Sequence, residues 1–196
     1  MTLATQQGLM PRRIWAKAVD FLTVSPFLGE ESLAPFIDVC REEDKGVFIL
    51  VCTSNAGNRM VQDAQNADGH KVSETLAEYI RQQAGACLGT GGYSAIGAVV
   101  GATYPQEAAS LRQAMPTSLF LVPGYGAQGG GAADVMPCFN PDGLGAVVNS
   151  SRGILYSYDD KQCSREEYKA SVVAATKAMQ RNIYAALRGG YQDMKY

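Results

Sequence analysis

Histidine and tryptophan are nearly missing from this 196-residue chain, with one of each, and the five cysteines form no C-x-x-C pair. Each gap removes a class of chemistry. His70, beside Asp68 and Gly69, has no companion base or nucleophile near it in sequence, so histidine-assisted covalent catalysis is not expected. Cys40, Cys52, Cys87, Cys138 and Cys163 are odd in number and widely spaced, unlike the paired ligands of zinc and thiol-redox motifs. No metal site is expected, and unpaired thiols fit a reducing cytoplasm.

An excess of one charge is missing too. The 17 Lys and Arg residues against 19 Asp and Glu leave a net charge of -2, with the basic residues scattered. Such a chain has no general attraction to a polyanion, so nucleic acid is not an expected partner. Long apolar runs are also lacking: the stretch at 95–102 is interrupted by Gly97 and Gly101 and falls far short of the roughly 20 residues of a spanning helix. Residues 1–10 lack the charged start and apolar block of a secretory signal. The expectation is a cytoplasmic protein that does not enter membranes.

What the chain does have is a hydrophobic content of 46%, enough to bury a core as one domain. Short apolar bursts alternate with longer amphipathic stretches, the pattern of parallel strands covered by helices. Strands are predicted at 20–24, 46–53, 95–102, 118–122 and 145–149, and helices at 31–43 and 71–86. Pro105 opens another helix, since a proline is tolerated at the first helical position. A last long helix starts at Ser164, with Glu167 three residues on as a capping box. Residues 1–18 read as an irregular lead-in or helix remnant, and 19–196 as the folded part. Periodicity leaves open whether the five units make a doubly wound sheet or part of a closed barrel.

The strongest local signal is VPGYGAQGGG at 122–131, at the end of a predicted strand. Closely spaced glycines serve either as a flexible connection or as a loop whose N–H groups wrap an anion, with Gln128 as a neutral donor. The next strand ends in NSSR at 149–152, placing Ser151, Arg152 and a short helical turn beside that loop. Arginine matches phosphate with two parallel hydrogen bonds, and neighbouring loops of this kind form phosphate sites in barrels. CTSNAG at 52–57 ends a third buried run, where Ser54 and Asn55 could read the edge of a planar base.

Five ordered motifs, TVSPFLG at 23–29, LVCTSN at 50–55, VGATYP at 100–105, VPGYGAQGG at 122–130 and VNSSR at 148–152, resemble those of orotidine 5'-phosphate decarboxylases, particularly the bacterial branch with a long T-S-N motif. The resemblance covers about residues 18–190. It implies a (β/α)8 TIM barrel, of which this chain carries about the last five β/α units. It also implies a nucleotide site in which Ser54 contacts the pyrimidine and meets Gln128 across the mouth, Gln128 and Arg152 hold the 5'-phosphate, and the loop from Pro123 to about Gly131 closes over the nucleotide, with Asn55 and Ser151 as further substrate-binding residues. The implied ligands are orotidine 5'-monophosphate and uridine 5'-monophosphate (UMP), with no metal or organic cofactor. A homodimer paired across the open strand ends is implied as well.

The same resemblance exposes a gap. The family's reaction uses a lysine held between carboxylates in a D-x-K-x-x-D segment, and no such segment is found here. Asp159 and Lys161 come nearest, but Ser164 stands where the second acid belongs. Smaller departures are Ser25, Phe27 and Ala56, where the family often has Asn, Tyr and Pro. The expectation is a chain that carries the pyrimidine and phosphate grip but lacks the acid–lysine segment, which is then to be found upstream in the gene or on a complementing N-terminal half. The alternative is a catalytically inactive nucleotide-binding barrel fragment.

Overall fold

The computed structural model describes Trp15, residues 19–158 and residues 163–190. Most of the lead-in read at 1–18, and the Asp159–Lys161 turn, lie outside the described residues. The strands are β1 (Phe21–Val24), β2 (Gly46–Cys52), β3 (Ser94–Val100), β4 (Ser118–Val122) and β5 (Ala146–Val148). The helices are α1 (Glu30–Glu42), α2 (Arg59–Gln62), α3 (Val72–Ala84), α4 (Pro105–Ala114), α5 (Ala132–Val135), α6 (Ser151–Leu155) and α7 (Arg165–Gly190). The predicted boundaries agree to within one or two residues, and Pro105 occupies the first turn of α4 as expected. The capping box is formed: Glu167 Oε2 accepts from the Ser164 N–H at 2.7 Å, and Ser164 Oγ accepts from the Glu167 N–H. Four short elements escaped the sequence reading, namely α2, α5 and the 3₁₀ turns at Gly85–Cys87 and Met136–Cys138.

Sheet order decides between the two architectures. All four pairings are parallel and the strands lie in the order β1-β2-β3-β4-β5. A doubly wound sheet reverses its order at a switch point, whereas right-handed crossovers running one way keep every helix on one face, as in a barrel. Burial agrees. One face, with Val47, Ile49 and Val51 of β2, Ile96 and Val100 of β3 and Phe120 of β4, packs in a single core with Ile37 of α1, Ile80 of α3, Leu111 of α4 and Ile183 of α7. This is a TIM-barrel-like α/β fold with five parallel strands among the described residues.

The other face is the would-be barrel interior, and it stays partly open. Phe48 and Val99 are buried, but Phe21 is 39% exposed and Val147 is 50% exposed at the two edges of the sheet. Phe21 stacks on Phe48 with ring centroids 4.9 Å apart, over Gly46, where a Cβ would meet the Phe21 ring at 2.2 Å. At the β5 edge a cavity of about 840 Å³ opens between Ala146 and Val148 of the strand and Met179, Ile183 and Leu187 of α7.

Arg112 fixes the floor of the sheet. Its guanidinium is buried and donates to the carbonyls of Cys138 (3.0 Å), Met115 (2.9 Å), Ser118 (2.9 Å) and Gly145 (3.0 Å), while stacking 3.5 Å from the centroid of Phe120. Burial pushes its pKa down to about 10, so the group stays charged at neutral pH. Replacing Arg112 with Met should cost about 3 kcal/mol or more, because several buried carbonyls lose their donors at once. Arg112→Lys should recover only part of that, having fewer donors and no fork. Urea unfolding midpoints test both, and an unchanged midpoint for the Met variant would show the clamp to be dispensable.

All five cysteines are free, and burial pushes Cys40 and Cys138 up to about 12 from an ordinary 9.0. A thiol whose pKa is raised by folding stabilises the fold fully below the unfolded value, and that contribution is lost as pH rises through the folded one. Stability should therefore hold to about pH 9 and fall toward pH 12, with a shallower fall in a Cys40→Val, Cys138→Val double variant. Denaturant midpoints against pH give the answer, and equal slopes would remove these thiols as the cause.

Candidate functional site

The segments that follow β2, β3, β4 and β5 converge at the carboxyl ends of the strands. After β4, the 123–131 loop is a folded object and not a floppy connection. Gly124, Gly126 and Gly129 take positive φ values of 100, 75 and 96, a region costly for other residues. The Gly126 N–H donates to the Gly130 carbonyl at 2.7 Å, the Gly129 N–H to the Gly126 carbonyl at 2.8 Å and the Gly130 N–H to the Gly124 carbonyl at 3.2 Å. Gly130 sits against the sheet so closely that a Cβ would stand 2.8 Å from Ala102 Cβ. The loop ends where Asp134 caps α5 by accepting the Gly131 N–H at 2.7 Å.

Ser54 and Gln128 flank one glycine of this loop. A Cβ on Gly124 would lie 2.9 Å from Ser54 Cβ and 3.2 Å from Gln128 Oε1, so the two side chains face each other across that gap. Ser54 also lies against Gly101, where a Cβ would approach its Cα and N to 2.8 Å. The Gly101 N–H donates to the Cys52 carbonyl at 2.6 Å, and the Ala102 N–H to the Pro123 carbonyl at 2.8 Å. Glycine at 101 is thus what lets the ends of β2 and β3 close on each other. Asn55 is partly engaged internally, its Oδ1 accepting from Thr53 Oγ1 at 2.5 Å.

The link between the two anion-binding candidates is Ser150, which the sequence reading did not single out. Its Oγ donates to the Tyr125 carbonyl at 2.9 Å, and the Asn149 N–H donates to the Val122 carbonyl at 3.1 Å. Gly153 makes room for this hydroxyl, since a Cβ there would stand 2.6 Å from Ser150 Oγ. Ser151 and Arg152 then open α6 as a short turn, both exposed, and Arg152 forms no ion pair among the described residues. The N–S–S–R–G order holds a detectable signal in retrospect: a glycine one residue past the arginine marks a tight approach.

Behind Thr53 lies a network of side chains. Gln62 Oε1 accepts the Thr53 N–H at 2.9 Å while Gln62 Nε2 donates to Thr53 Oγ1 at 3.0 Å. Lys71 pairs with Asp63 at 3.1 Å, and the Arg59 guanidinium lies 5.0 Å from the Tyr104 ring centroid. Burial pushes Cys52 up to about 11, leaving a neutral thiol and no nucleophile beside the site. His70 sits in the exposed 64–70 stretch, next to Lys71 in sequence, and its ring nitrogen lies 3.8 Å from Glu74.

A family model described as "Orotidine 5'-phosphate decarboxylase / HUMPS family" matches residues 7–166. The chain belongs to that family. It is 44% identical over 168 residues to an orotidine 5'-phosphate decarboxylase of Rhodopirellula baltica, covering 84% of this chain and 55% of that protein. It is also 44% identical over 155 residues to one of Clostridium tetani, covering 76% of this chain and 54% of the relative. Among solved structures, it matches the OMP decarboxylase of Leishmania donovani with a TM-score of 0.71 and 28% identity, over 93% of this chain and 63% of that one. The UMP synthase of the same organism matches at TM-score 0.73 and 30% identity, over 95% of this chain and 37% of the other. The chain spans about half the length of the curated relatives it matches.

Removing the Ser150 hydroxyl should release the loop locally. In Ser150→Ala, amide exchange at Gly126, Gly129 and Gly130 should quicken about fivefold, the worth of one neutral hydrogen bond of about 1 kcal/mol. Mass-spectrometric or NMR hydrogen exchange measures it, and unchanged rates would show that glycine packing alone holds the loop.

Proposed function

We propose that this chain is the nucleotide-gripping part of an orotidine 5'-phosphate decarboxylase of the T-S-N branch, which converts orotidine 5'-monophosphate to UMP and carbon dioxide. One observation carries the reading: the Ser150 Oγ bond to the Tyr125 carbonyl ties the glycine loop to the turn bearing Arg152. That joins the glycine loop and the start of a short helical turn to an arginine with no ion pair of its own among the described residues, a setting suited to a phosphate dianion. Gln128 and Ser151 complete the phosphate end, with Pro123 starting the loop that closes. Ser54, across from Gln128, and Asn55 form the pyrimidine end. In such a site the remote phosphate supplies binding energy that is spent on holding the reacting end in place.

The chemistry itself needs a lysine between carboxylates, and the sequence holds no D-x-K-x-x-D segment. In this reading residues 19–196 form the last five β/α units of a barrel, and a complementing segment supplies the acid–lysine array. The part-open inner face, with Phe21 and Val147 exposed at its two edges, supports a complement that extends the sheet at both. Exposed Phe27, Leu28, Met60 and Tyr156, all in segments that follow strands, favour a second copy facing the site, as in a homodimer. Cytoplasmic location follows from this role; no described helix is long and apolar enough to cross a membrane.

Calorimetric titration with UMP, together with an absorbance assay of orotidine 5'-monophosphate decarboxylation, tests the reading. The chain alone should bind UMP without turnover. Arg152→Ala should weaken binding about 10- to 100-fold, the range for losing charge-assisted hydrogen bonds of about 1.5–3 kcal/mol. Adding the complementing segment should restore turnover. Failure of that addition with UMP binding intact would favour an inactive nucleotide-binding fragment, and absence of UMP binding would reject both.

A further inference from the structure

We infer that Gln62, through Thr53, is a positioning residue that sets Ser54 for the pyrimidine end of the site. This rests on the proposed nucleotide reading and adds a residue to it that touches no ligand itself.

Thr53 is held on each of its polar groups. Its N–H is accepted by Gln62 Oε1 at 2.9 Å, and its carbonyl accepts from Asn58 Nδ2 at 2.5 Å. Its hydroxyl accepts from Gln62 Nε2 at 3.0 Å and donates to Asn55 Oδ1 at 2.5 Å. Gln62 thereby reads both the backbone and the side chain of Thr53 with its two amide ends, and this fixes the orientation of the amide. The hydroxyl, having its acceptor role filled by Gln62, must point its proton at Asn55. One glutamine thus orders the residues on either side of Ser54.

Ser54 has little other freedom. Gly101 packs against its Cα and N, Gly124 packs against its Cβ, and the Thr103 hydroxyl donates weakly to its carbonyl at 3.4 Å. Those contacts limit how far Ser54 can move but do not set its direction, because a glycine surface offers no directional bond. Apart from the long Thr103 bond, the directional hydrogen bonds that bear on Ser54 come through Thr53. Gln62 is in turn fixed at the end of α2, a single turn held by its neighbours. Asp63 pairs with Lys71 at 3.1 Å and with Arg59 at 3.7 Å, and Arg59 rests over Tyr104 and reaches Glu107 at 3.9 Å. The turn is therefore tied to the starts of α3 and α4, and displacement of Ser54 would have to break bonds to a rigid support.

The test separates the two ends of the ligand. Using the full chain, affinities for UMP and for ribose 5-phosphate are measured by calorimetry for the wild type, Gln62→Met, Thr53→Val and the double variant. Gln62→Met should weaken UMP about tenfold, the equivalent of about 1.4 kcal/mol, and leave ribose 5-phosphate unchanged, which also reports an intact fold. Thr53→Val should show the same selective loss, and the double variant should lose no more than the larger single, since both break one network. Equal UMP affinity in Gln62→Met overturns the inference, as does parallel loss of ribose 5-phosphate or additive losses in the double variant. If the wild type binds ribose 5-phosphate but not UMP, the pyrimidine end does not exist and the functional reading fails along with the inference.

Discussion

The guanidinium of Arg112 is the point from which the rest of the site is built. It stands at the amino ends of β4 and β5 and gathers the carbonyls of Ser118 and Gly145, which immediately open or precede those strands. Holding both carbonyls on one planar group sets the stagger of the two strands, observed as Phe120 opposite Ala146 and Val122 opposite Val148. With parallel strands, a register set at one end is carried to the other. At the far end that register places Pro123 beside Asn149, and hence the glycine loop beside Ser150 and Arg152. The proposed phosphate site is thus positioned by a cation that lies at the opposite end of the sheet.

The same parallel geometry explains what remains unfinished. Each strand sends its following loop to the same end of the sheet, so five units bring the loops of the proposed site together, but among the described residues they leave a sheet with two edges and an apolar inner side. The long α7 shows the consequence. Of its 26 residues only Ile183 and Leu187 are buried, while Val173 and Tyr184 are about half exposed and a cavity lies between the helix and β5. A helix this long is seldom stable on propensity alone and gains most from an apolar face packed on neighbours. Among the described residues that face is only partly filled.

Much of the fold was legible because it depends on local patterns. The run at 118–122 reads as a buried strand by composition, Pro105 suits a first helical turn, and Ser164 with Glu167 is a cap whose chemistry lies within one turn. Sheet order was not legible, since periodicity records that strands are buried and not which neighbours bury them. For the site, the residue types at 54, 128 and 152 were visible, as polar groups at strand ends. Arg112 was not, because a buried arginine on a helix looks in sequence like any solvated one. Ser150 and Gln62 were missed for a related reason: each acts through one distant backbone partner, at separations of 25 and 9 residues, which no spacing rule singles out.

The division between grip and chemistry follows from how far each must reach. In the proposed reading an anion is held by two neighbouring loops and an arginine that are all local to residues 123–153, so five β/α units are enough for that part of the site. A lysine kept between carboxylates is different, because like and unlike charges must be fixed against their own repulsion and desolvation, and this requires support from several elements at once. Ser54 lies at the boundary. It is placed by Gly101 and Gly124 on one side and by the Gln62–Thr53 network on the other, all within this chain. In the proposed reading, whatever supplies the acid–lysine array meets a pyrimidine end already set, and needs to bring only charge.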